Sequence, residues 1–162
     1  MNWSDLNLMP AMPEIVLLAL LGVVLLADLW ICDKNRYLTH LMSLGTVIIV
    51  AITQLAVWEQ GSVDAFHGMY IADGMSRLAK LVLYALTFGL FIYSKPYNQD
   101  RQIFKGEFYT LSLFALLGMS VMVSSAHFLT AYIGLELLSL SLYAMIALRR
   151  DSGRSAEAAL KY

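Results

Sequence analysis

A chain of 162 residues that is 59% hydrophobic and only 14% charged lies outside the composition of soluble domains, which are about 45–50% apolar and about 25% charged. Its formal net charge of −1 and its lack of basic clusters interleaved with aromatics give no footing for nucleic acid. A single cysteine, Cys32, excludes an internal disulfide and a thiolate metal cluster. The composition is that of a membrane protein, and one transmembrane domain is expected over residues 1–162.

The N-terminal stretch MNWSDLNLMPAMPEI does not resemble a cleaved signal peptide, so the first helix is expected to stay in the mature protein. The stretch has no basic leading segment, Asp5 and Glu14 precede the apolar run, and that run is too long. Window hydropathy then predicts five helices. The first covers Glu14–Ile31, entered after Pro10 and Pro13 and left through Asp28, Trp30 and Asp33. The second, Leu38–Trp58, has only His40 near its start. Glu59 to Asp73 is acidic and aromatic, the signature of a turn or hairpin. The third, Gly74–Ser94, carries Arg77 and Lys80 in its first two turns. The fourth, Phe108–Ala126, is rich in Ser and Gly. The fifth is Phe128–Leu148.

Basic residues sit in alternate connections: Lys34 and Arg36, then Lys95, Arg101 and Lys105, then Arg149, Arg150 and Arg154. The excess of cations on the inner side predicts an N-terminus outside and the odd-numbered helices exiting inside. After the fifth helix, SAEAALKY carries a weak helix-start signal in Ser155, Glu157 and Lys161. It reads either as a short inner-surface tail or as the opening of a further helix.

The fifth helix, FLTAYIGLELLSLSLYAMIAL, has one charge near its middle. At ~1.5 Å per residue Glu136 lies roughly 12 Å from Phe128 and roughly 18 Å from Leu148. An acid at that depth costs on the order of 3 kcal/mol on insertion scales and by default marks a functional site. Tyr132, Ser139 and Tyr143 share its face, while Thr130, Gly134 and Ser141 form an opposite face of small residues suited to a close helix neighbour. The helix is therefore expected to touch protein on two sides. Glu136 is the candidate proton-translocating residue, with Tyr132, Ser139 and Tyr143 in support; the competing reading makes it polar glue between helices.

Arg77 and Lys80 read as side chains that snorkel to the headgroups. Asp28 and His127 read as interfacial. His40 and His127 lie at opposite ends of their helices and His67 in a loop, so no two histidines can share a haem. With no phosphate loop, nucleophile elbow or metal-spaced cluster, no cofactor or metal is expected on this chain.

GEFYTLSLFALLGMSVMVSSA (106–126), GLELLSLSLYAMIALRRDS (134–152) and SAEAALKY (155–162) resemble the N-subunit family of bacterial NADH–quinone oxidoreductase, respiratory complex I. ADGMSRLAKL (72–81) fits the third helix of the same family less specifically. The resemblance implies an all-α polytopic bundle, here the N-terminal part of an antiporter-like fold of about fourteen helices with two inverted five-helix repeats. It implies a role for Glu136 with buried lysines of later helices, which would lie beyond Tyr162, in proton translocation coupled to quinone reduction. It also implies neighbours resembling subunits M, K and J, a bacterial inner membrane, and NADH, flavin, iron–sulfur clusters and quinone used by other subunits. On that implication the chain is a piece of a longer product or a truncated reading frame. Two other readings stay open: a subunit of a multi-subunit cation/proton antiporter, and a small helical scaffold without catalysis.

Overall fold

The computed structural model describes residues 7–31, 36–58, 61–100, 106–148, 157 and 161. Five helices, each long and apolar enough to cross a bilayer, make up most of it: α1 (Met12–Trp30), α2 (Tyr37–Ala56), α3 (Gly74–Asp100), α4 (Gly106–Val123) and α5 (Phe128–Ile146). Cys32, Ser155 and most of the loop cations that set the expected orientation lie outside the described residues.

Helix starts follow local chemistry. Pro13 stands in the first turn of α1, where its missing N–H costs nothing. Asp73 and Ser76 cap α3 reciprocally: the Ser76 amide donates to Asp73 Oδ1 at 2.7 Å and the Asp73 amide to Ser76 Oγ at 3.0 Å. His127 caps α5, its Nδ1 accepting from the Leu129 amide, which explains an interfacial histidine without a proton path. α3 continues past the expected end at Ser94 and through Pro96, which lies close to its terminus. α4 stops at Val123 and not at Ala126, because Ser124 to Ala126 turn to pair with another element.

That element is a hairpin between α2 and α3, β1 (Val63–Ala65) and β2 (Tyr70–Ala72), antiparallel with Asp64 opposite Ile71. A short turn joins the strands with three consecutive left-handed residues, Phe66, His67 and Gly68. The Ile71 amide donates to the Ser124 carbonyl and the Ala126 amide to the Met69 carbonyl. The hairpin thus folds over the bundle end and is stitched to the α4–α5 connection.

Four helices enclose one core. Leu17, Leu21 and Val24 form a stripe on α1 and meet Val47 and Val50 of α2, Tyr84 and Phe91 of α3, and Tyr109, Leu113 and Leu116 of α4. Serine and threonine hydroxyls inside the bundle bond back to their own helices, Thr87 to the Leu83 carbonyl and Ser120 to the Leu116 carbonyl among them. This satisfies them where water is absent. α1 and α3 stand across the bundle from one another, and α5 lies outside the ring, packed on α4. Apolar surface is no driving force between helices in lipid, so close backbone approach and buried polar pairs decide the packing.

Candidate functional site

Two sets of ionisable residues stand out among the described residues, and only one of them is legible from α5 alone. Glu136 lies on the exposed face of α5. The Tyr132 phenol, one turn earlier, is within hydrogen-bonding reach of its carboxylate. Tyr132 and Tyr143 are exposed and Ser139 is half-buried. Predicted as one face, the four do fall on one side of the helix, but the described helices do not cover it. Among the described residues α5 is packed on one side.

That packed side is the small-residue face. Gly134 and Ser141 are the buried residues of α5. A Cβ on Gly134 would meet the Gly118 carbonyl at 2.8 Å, and one on Gly118 would meet the Gly134 carbonyl at 2.7 Å and the Leu138 amide at 2.8 Å. Backbone lies directly against backbone, so the two glycines set the approach of α4 and α5. The contact fixes the rotation of α5 and turns Glu136 outward.

The second set is Glu14, Tyr70 and Lys80. Lys80 is 1% exposed and Glu14 7%, and Lys80 Nζ lies 2.6 Å from Glu14 Oε1. The ammonium also donates to the Tyr70 hydroxyl at 2.6 Å and sits 4.8 Å from the centre of the tyrosine ring. The Tyr70 hydroxyl in turn donates to Glu14 Oε2 at 2.9 Å, with the Pro10 carbonyl a second acceptor at 3.1 Å. Burial and the neighbouring Glu14 carboxylate push the Tyr70 hydroxyl above the ordinary tyrosine range, so it is a protonated donor. Arg77, one turn before Lys80, is 3% exposed.

Snorkelling by Arg77 and Lys80 is overturned. The hairpin and the first turn of α1 cover the helix end where these side chains would have reached headgroups. Glu14 offers a partner that makes burial tolerable. The signal in the sequence is depth: Glu14 is the third residue of α1 and Lys80 the seventh of α3. At ~1.5 Å per residue they differ by roughly 6 Å along the bundle, within the reach of a lysine stem.

At the opposite end, Asp28 accepts from Thr39 Oγ1 at 2.8 Å and lies against Gly106, the first residue of α4. A Cβ there would sit 1.8 Å from its carboxylate. An anion beside a helix N-terminus is electrostatically favourable, so Asp28 joins α1, α2 and α4 near the interface. His40 is buried, its ring edge-on to Tyr109 at 5.2 Å.

No family model matches the chain. Over its whole length, however, it matches NADH-quinone oxidoreductase subunit N: 75% identity to that of Neisseria gonorrhoeae across 162 residues, all of this chain and 34% of the relative. Identity to the subunit N of Laribacter hongkongensis is 51% over 162 residues, 33% of that protein. Among solved structures, a chain of respiratory complex I from Thermus thermophilus with bound aureothin superposes with a TM-score of 0.73 at 27% identity, over 93% of this chain and 32% of that one. The chain spans about a third of the length of the curated relatives it matches.

Proposed function

We propose that this multi-pass membrane chain contributes to proton translocation as part of subunit N of NADH-quinone oxidoreductase, in the membrane arm of complex I. The observation that carries the reading is the 75% identity that extends over every residue of the chain. Glu136 is the proton-exchanging group. The Gly118–Gly134 seam orients it, Tyr132 bonds its carboxylate, and the open face of α5 is where further helices with cationic side chains bring it into the membrane interior. A carboxyl set between apolar surroundings and a cation is in general suited to taking up and releasing protons.

Redox chemistry is assigned elsewhere: NADH, flavin, iron–sulfur clusters and quinone belong to other subunits, and this chain binds none of them. Its neighbours are the other membrane subunits, of the M, K and J type. The membrane is the bacterial inner membrane, with the N-terminus and the hairpin on the outer side.

The test is proton translocation per quinone reduced, in membranes holding equal amounts of assembled complex. Glu136→Gln keeps size and much of the hydrogen bonding, so assembly stays near normal while pumping falls, and Glu136→Asp retains part of it. Pumping at the wild-type ratio in the glutamine variant removes Glu136 from the mechanism. If Glu136 is polar glue instead, glutamine is nearly silent and alanine is harmful through stability.

A further inference from the structure

An ion pair inside a membrane bundle is an expensive way to hold two helices together. Well-packed apolar side chains of similar volume usually do as well or better. Charged groups at such depth therefore call for a role beyond packing. Glu14 and Lys80 link α1 and α3, which otherwise approach little, and the link is threaded through a hydroxyl. Lys80 Nζ donates to the Tyr70 oxygen at 2.6 Å and the Tyr70 hydroxyl donates to Glu14 Oε2 at 2.9 Å. Donor, relay and acceptor stand in sequence, with all three residues nearly or fully buried.

A path to the hairpin side adjoins them. A polar cleft of about 180 Å³ is lined by Asn7, Met9, Pro10, Val57, Val63 and Arg77, room for a few waters at ~30 Å³ each. Pro10 lines this cleft and its carbonyl is the alternative acceptor of the Tyr70 proton at 3.1 Å. A hydroxyl has one proton, so Tyr70 bonds either inward to Glu14 or toward the residue at the cleft.

We infer that Glu14, Tyr70 and Lys80 form a second proton-exchange site of this chain, separate from Glu136 and opening on the hairpin side, with Tyr70 as the relay. In the step, an N–H bond of Lys80 breaks as its proton joins the Tyr70 oxygen. The Tyr70 O–H bond breaks at the same time as its proton joins Glu14 Oε2. The ion pair becomes a neutral amine and a carboxylic acid, with no change in total charge, and Tyr70 ends as it began. Exchange follows with the hydroxyl turned toward Pro10, which lines the cleft: the Tyr70 O–H proton passes to a cleft water as the Glu14 proton moves onto the Tyr70 oxygen, and a water proton relayed back to the Lys80 nitrogen restores the ion pair. Among the described residues, the charged groups near it are Arg77 and Asp73, and Tyr84 of α3 neighbours Tyr70.

The experiment follows the carboxyl by infrared spectroscopy in the complete protein within its membrane assembly, in lipid vesicles. The Glu14 band is assigned by its shift in Glu14→Asp and its loss in Glu14→Gln. In the wild type the band changes with pH and exchanges with D2O. Tyr70→Phe leaves the direct Lys80–Glu14 contact in place but slows the exchange about a hundredfold or more, the lower end of what a positioned acid–base group contributes. Exchange at the wild-type rate in Tyr70→Phe overturns the relay. If that variant does not assemble, the wild type decides: a Glu14 that stays ionised throughout the pH range of stable assembly is a fixed ionic staple, and the inference fails. The readout needs no redox turnover, so failure of the Glu136 reading leaves it intact.

Discussion

Asp73 marks the point where the hairpin becomes α3. Its carboxylate accepts from the Ser76 amide, and that bond together with the Ser76 hydroxyl holds the carboxyl below the ordinary value of 3.8. Loss of such a cap costs about 1 kcal/mol, so Asp73→Ala is expected to lower thermal stability modestly and Asp73→Asn less. The lowered value also fixes a pH dependence. The contribution is present above the unfolded-state value near 3.8 and is lost as pH falls through the lower folded-state value. The Asp73→Ala penalty, measured by thermal unfolding in detergent, should therefore shrink on acidification below that range. A penalty independent of pH would separate the cap from the carboxylate charge.

At the scale of elements, the seam between α4 and α5 is the most demanding contact, because each glycine faces backbone that cannot move aside as a side chain would. Gly134→Leu is expected to push α5 away and reduce assembly, and Gly118→Ala to do so in smaller degree, with overpacking costs of ~1–3 kcal/mol. Ser141→Ala, which removes only a bond to its own helix at the Leu137 carbonyl, serves as the nearly neutral control. Assembly on native gels is the measurement, and wild-type levels for Gly134→Leu would count against the seam. This face was legible in the sequence, since Thr130, Gly134 and Ser141 recur on one side of a helix of known period. The outward turn of Glu136 was not. Which side of a helix is covered depends on where its neighbours lie, and hydropathy averages around the helix.

Across the whole molecule, alternating cations in the connections predict opposite sides for Ser62, in the hairpin region, and Asn98, near the end of α3. Single cysteines at these positions, in a Cys32→Ser background, should react with an impermeant reagent from opposite faces of the membrane. Labelling of both from one face would remove either the helix count or the orientation. Five spans were readable because each is a continuous apolar run. The Glu14–Tyr70–Lys80 cluster escaped for the opposite reason, being assembled from three elements, with Glu14 lying 56 residues before Tyr70. Lys80 seen from α3 alone is a cation two turns inside a helix end, for which snorkelling is the ordinary outcome. Only the hairpin folded over that end, and the acid brought up by α1, change its fate.

The ion pair also has a consequence for the order in which the chain enters the membrane. α1 emerges before α2 and α3 during synthesis and brings Glu14 with it, whereas its counter-charge arrives only after α2, the hairpin and the first turns of α3 have followed. An unpaired acid in a span costs up to ~3 kcal/mol, so α1 begins shallow and settles when Lys80 reaches it. The first helix is thus finished by the third, with the hairpin held by Tyr70 to both.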